Sequence, residues 1–122
     1  MKKSFLFVFA LVAISLSGTS QIVYDWYQMT TIESVIPGGL GRSRMITTDP
    51  QGILQETKME NFFSMVGINF ANVRLNDQLI GDKLADLSAE GWELFQVNSG
   101  AYGHEASTGI FITRYLFRKV KS

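Results

Sequence analysis

Apolar residues follow three rhythms along this chain. Behind Met1, Lys2 and Lys3, the run from Phe5 to Ile14 is unbroken apolar sequence. Residues 22–34 instead alternate, with Ile22, Tyr24 and Trp26 on one side of an extended chain and Val23, Tyr27 and Met29 on the other. Aromatic and β-branched residues in that pattern predict a strand. Apolar residues on both sides predict cover on both faces, at least at the strand's beginning. Pro37-Gly38-Gly39-Leu40-Gly41 is turn chemistry and stops it. Residues 42–48 then predict a second strand, hairpinned to the first.

Asp49-Pro50 reads in two ways. It can open a helix, with Asp49 as cap and Pro50 in the first turn. It can also form a turn that Gly52 completes, followed by a strand at 53–59. Gly52 weakens the helix and residues 53–59 show no helical stripe, so the hairpin is favoured. Residues 61–71 are apolar without a clear period. The third rhythm is helical: Val73, Ile80, Leu84 and Leu87 share one face, with Asp82 and Asp86 opposite. This predicts a helix over 73–90, capped by Asn72 or Asn76. Gly91 ends it in the left-handed region, and Trp92 packs back on Leu87. A strand at 92–99, a loop from Gly100 to Gly109 and a last strand at 110–120 complete the pattern.

The beginning of the chain has the order of a secretory signal: basic residues, an apolar stretch, then Ser15, Ser17, Gly18, Thr19 and Ser20. The apolar stretch is shorter than the roughly 20 residues a membrane span needs. The expectation is a cleavable signal peptide over 1–20, a mature chain from Gln21, and a periplasmic or secreted location. No stable membrane insertion of the mature chain is expected. No lipoprotein is expected either, since the sequence holds no cysteine to acylate. The remainder, 21–122, suits one domain.

Composition narrows the function classes. The whole chain is formally neutral, and loss of Lys2 and Lys3 would leave the rest slightly acidic. Generic phosphate-backbone binding to nucleic acid is therefore not expected. In an oxidising compartment this domain must be held by packing alone, as it has no disulfide to draw on. Strands, then one helix, then strands predict the α+β class: an antiparallel sheet of four or five strands with one main helix on one face.

The stretch Leu84-Ala-Asp-Leu-Ser-Ala-Glu-Gly-Trp-Glu-Leu94 resembles a small bacterial family, domain of unknown function 4177. That family pattern has a helix ending Leu-x-x-Leu-x-x-Glu-Gly-Trp-Glu-Leu and a closing strand that Tyr115-Leu-Phe-Arg-Lys119 matches. The likeness covers 72–120 well and 22–34 loosely. The segment 37–71 departs from it as an elaboration. Each matching residue has a structural role, so the resemblance implies a fold and carries no activity.

Chemistry-bearing residues are sparse. Arg42 and Arg44, two apart beside Gly39 and Gly41, could hold a carboxylate or phosphate against glycine-rich backbone. A phosphate loop would need a strand-to-helix context and a Gly-Lys-Ser/Thr ending. A hairpin turn with solvated arginines is the simpler alternative. His104 is the sole histidine, beside Glu105 and near Ser99 and Ser107. One histidine without cysteine does not make a zinc site, and nothing marks either serine as activated. Asp82, Asp86 and Glu90 form a helix ladder rather than a calcium loop. No metal or cofactor is expected. The aromatic residues exceed what a small core needs, and the surplus should line an interface or pocket. The leading expectation is a non-catalytic interaction or self-association module, acting as a homodimer or with an envelope protein partner. A small-ligand domain built on Arg42 and Arg44 is the alternative, and a hydrolase ranks last.

Overall fold

The computed structural model describes residues 20–104 and 108–122. The expected signal segment lies almost entirely outside the described residues, as do Glu105 and Ser107. The described chain is α+β. Its strands are β1 (Tyr24–Ser34), β2 (Ser43–Thr48), β3 (Leu54–Met59), the short β4 (Phe63–Ser64) and β5 (Gly67–Ile68), β6 (Glu93–His104) and β7 (Thr108–Val120). One helix, α1 (Phe70–Ala89), stands between β5 and β6. The main sheet has five strands in the order β3-β2-β1-β7-β6, and every neighbouring pair is antiparallel. β4 and β5 form a separate two-stranded hairpin.

The favoured hairpin at 49–53 is present. Asp49 Oδ1 accepts from the backbone N–H of Gln51 at 3.0 Å and of Ile53 at 2.8 Å. Gly52 takes φ of +80° there, a conformation side chains with a Cβ resist.

α1 packs Leu79, Ile80 and Leu84 onto Tyr27, Met29, Met45, Met59 and Phe117, with Leu87 1% exposed at the centre. These residues come from β1, β2, β3 and β7. Alternation places Tyr27, Met29 and Thr31 toward the helix, along with their cross-strand partners Phe117, Tyr115 and Thr113. The helix stop is as its sequence predicts. Gly91 has φ of +89°, its N–H donates to Ser88 O at 3.0 Å, and the Trp92 N–H donates to Leu87 O at 2.9 Å.

Four expectations are corrected. The helix starts earlier, at Phe70, and its cap is Asn69, whose side chain accepts from the Asn72 N–H at 3.2 Å. Asn76 is no cap: it is buried inside the apolar stripe and holds the loop before β4. The loop expected from Gly100 is strand instead, because pairing with β7 carries β6 on to His104. Finally, the expected strand is not covered on both faces at its start: Ile22 and Val23, which precede β1, are 61% and 59% exposed, and Trp26 of β1 is 42% exposed. One helix can cover only one face of a sheet.

Candidate functional site

The sheet face turned away from α1 has no layer over it. Trp26, Gln28, Thr30 and Ile32 of β1 project there, opposite Arg118, Leu116, Arg114 and Ile112 of β7. Arg44, Ile46 and Thr48 continue the face across β2. A bulge between Leu94 and Gln96 keeps Phe95 on this side and returns Val97 to the helix side.

At the β1–β7–β6 end of this face the aromatics gather around one cation. The Arg118 guanidinium carbon lies 4.6 Å from the Tyr24 ring centre and 4.2 Å from that of Phe95. Trp26 meets Phe95 edge-on at 5.6 Å and Tyr24 at 5.9 Å. Glu93 accepts from Arg118 Nε at 3.1 Å and fixes the guanidinium in its aromatic slot. Trp26 and Phe95 nonetheless stay more than two-fifths exposed. Aromatic and arginine side chains held rigid on a surface are the residue types that dominate protein–protein hot spots.

Charge on this face is biased. Arg44 pairs with Glu56 at 2.8 Å and Arg118 with Glu93, while Lys58 and Arg114 have no ion-pair partner among the described residues. Asp77, Asp82 and Asp86 are exposed along α1, as is Arg74; Asp82 and Asp86 line a shallow groove against β2 and β3.

The residues singled out for anion binding are placed as follows. Arg44 is engaged, its Nε by Glu56 and its Nη1 by Ser43 O at 3.0 Å. Arg42 is exposed just before β2, with no ion pair among the described residues. Gly39 closes a single 3-10 turn, Pro37–Gly39. Gly41 is required by packing, since a Cβ there would stand 1.7 Å from Ser34 Oγ. Its carbonyl accepts from Asn61 Nδ2 at 2.7 Å. The structure therefore does not bring the two arginines together as a free pair, since one of them is neutralised. His104 ends β6 opposite Thr108, and the Ser99 hydroxyl bonds Thr113 Oγ1 at 3.0 Å. Asp82 and Asp86 are exposed beside β2 and β3, and Glu90, the residue that caps the end of α1, is exposed at a cleft there. Among the described residues no three His, Cys, Asp or Glu side chains gather as a metal set. No described helix is long and apolar enough to cross a membrane.

Sequence reasoning missed two features. One is a polar cluster under the start of α1. Asn76 Nδ2 donates to Glu60 O at 2.8 Å and to Glu33 Oε1 at 3.3 Å, while its Oδ1 accepts the Glu60 N–H at 2.8 Å. Burial pushes the Glu33 carboxyl above the usual carboxylate range, the Asn76 bond opposes this, and Asp77 adds to it. Burial, with Glu33 and Asp77 nearby, also raises the Tyr115 phenol. Thr31 Oγ1 makes no well-formed hydrogen bond, yet it lies close enough to Tyr115 to oppose that rise slightly. The signal was Asn76 itself, a polar residue three positions after Val73 in the apolar stripe.

The other is a cleft of about 480 Å³ beyond the end of α1, lined by Asp25, Tyr27, Lys83, Glu90, Trp92 and Lys119. Both its lysines rest on aromatic rings, Lys119 over Trp92 at 4.5 Å and Lys83 over Tyr27 at 5.7 Å. It is open, and no nucleophile and base in it form a hydrogen-bonded pair. No protein-family model, no curated protein and no solved structure matches the chain.

Proposed function

We propose that this protein is a non-catalytic interaction module that works after export, and that its working surface is the uncovered sheet face. The observation that carries this reading is the rigid cluster of Tyr24, Trp26, Phe95 and Arg118, exposed on a sheet with no second layer. Five strands of six to thirteen residues, about 4.8 Å apart, offer roughly 700 Å² of face. That approaches the area, about 800 Å² a side, that stable protein interfaces bury. The unpaired cations Lys58 and Arg114 favour an acidic partner with its own apolar centre.

The likeness of 84–94 and 115–119 to the domain of unknown function 4177 family is consistent with such a fold and adds no activity. Binding of a small anion by Arg42 and Arg44 would first have to release Arg44 from Glu56 and Ser43 O.

The test uses cells that export the full chain. Its N-terminus, read by mass spectrometry, should be Gln21. On native gels the exported chain should migrate in an assembly larger than a dimer. Trp26→Ala combined with Arg118→Glu should release it while the circular dichroism of the fold is kept. An unprocessed chain would remove the export reading. An assembly indifferent to both substitutions would remove the open-face reading.

A further inference from the structure

We infer that β6 is the seam of a homodimer, in which the β6 strands of two copies pair antiparallel about a two-fold axis. The two five-stranded sheets then become one sheet of ten strands. β6 is one of the two sheet edges and runs twelve residues. An edge strand offers a row of unpaired backbone donors and acceptors, which proteins usually blunt with charge, proline, bulges or shortness. The other edge, β3, is blunted: it has six residues and includes Glu56 and Lys58. From Gln96 to Gly103, β6 has neither a charged residue nor a proline. Its single irregularity lies at Leu94–Gln96, which leaves the rest regular.

The occupant that fits is a second copy. An uncharged strand set antiparallel against itself brings no like charges opposite each other, whatever the register. The side chains also leave something for a copy to cover. No β6 residue belongs to the core beneath α1, and Leu94 and Val97, on the helix side, remain about 45% exposed. A seam centred on Ser99 sets Val97 against the partner's Ala101 and Gln96 against the partner's Tyr102, each pair on a shared face. The pairing uses the edge alone, so it is independent of the open-face reading and leaves Trp26 and Arg118 free. A closed two-fold seam of this kind uses up both edges it joins, so it stops at the dimer.

The experiment is light scattering after gel filtration on the exported, processed chain, across about 5–200 μM. The wild type should be a dimer toward the top of that range. Asn98→Lys with Gly100→Lys places lysines opposite lysines across the seam and should give a monomer. A side chain at Gly100 meets nothing within 4 Å of its Cβ, so the monomer fold accommodates it. Asn98→Glu with Gly100→Glu should also be monomeric, and an equimolar mixture of the two variants should recover the dimer. Should a double variant fail to fold, Ser99→Lys and Ser99→Glu, at the centre of the seam where each side chain faces its own copy, are read in the same way. Trp26→Ala alone, which leaves the Glu93–Arg118 pair of β6 in place, should leave the dimer intact, which separates this seam from the open face. A monomeric wild type, dimeric charge variants or a mixture that stays monomeric would each overturn the inference.

Discussion

Asn76 is where the helix is fixed to the sheet, and replacing it with alanine tests that directly. Its amide makes both backbone bonds to Glu60, each 2.8 Å, and a longer bond to Glu33. Only 1% of the residue is exposed, so water has no easy route to the vacated positions. A net hydrogen bond contributes about 1 kcal/mol, and a partner stranded without water costs somewhat more. Losing three bonds should therefore cost about 3 kcal/mol. A domain this size has a total stability of roughly 5–15 kcal/mol. In urea, where a slope slightly above 1 kcal/mol/M is ordinary, the unfolding midpoint should fall by about 2 M. Asn76→Asp should fall by a similar amount at neutral pH. It keeps the acceptor for the Glu60 N–H, but loses both donor bonds and sets a second carboxylate beside Glu33. Equilibrium urea unfolding followed by tryptophan fluorescence reads both. A loss below about 0.5 kcal/mol for the alanine variant would mean that the cluster is hydrated and does not hold the helix.

Two further outcomes concern the fold. Gly41→Ala drives a Cβ to within 1.7 Å of Ser34 Oγ and should cost about 2–3 kcal/mol, as overpacking does. Gly100→Ala, with open space around it, should leave the melting temperature almost unchanged; equal losses at the two sites would discredit the packing argument. Glu33 governs a pH effect. Its carboxyl titrates above the usual range because burial disfavours the charge, so the folded chain binds that proton more tightly than the unfolded chain. The stability lost to the buried charge is therefore regained as pH falls from neutral toward the ordinary glutamate range. Glu33→Gln should flatten this part of the stability–pH curve and be no less stable than wild type at pH 7. A steeper curve, measured by urea unfolding from pH 4 to 7, would contradict the assignment.

The legible parts of the fold were those with a local cause. Asp49 and Gly52 form a turn by their own chemistry, and Gly91-Trp92 stops a helix wherever a helix runs into it. What escaped reading depends on distant partners. Gly100 and Gly103 look like a loop, yet eleven register pairs along β7 hold this stretch as strand. Asn69, Asn72 and Asn76 are equally good caps by residue type. The choice among them falls to the β4–β5 hairpin and to Asn61, whose carbonyl accepts from Asn72 Nδ2 at 2.9 Å. The candidate site was half legible. The aromatic surplus was countable, but its gathering around Arg118 requires β6 and β7 to be aligned with β1. Likewise Arg42 and Arg44 look like a matched pair until the register of β3 delivers Glu56 to one of them.

Site-specific photo-crosslinking in exporting cells tests the central claim most directly. A benzophenone side chain placed at Gln28, in the middle of the open face, should capture a partner distinct from the chain itself. The same probe at Gln78, exposed on α1, should capture about tenfold less. Trp26→Ala should abolish the Gln28 adduct, as loss of an anchoring residue does. Equal capture from the two positions, or none from Gln28, would contradict the reading of the open sheet face as the surface with which this protein works.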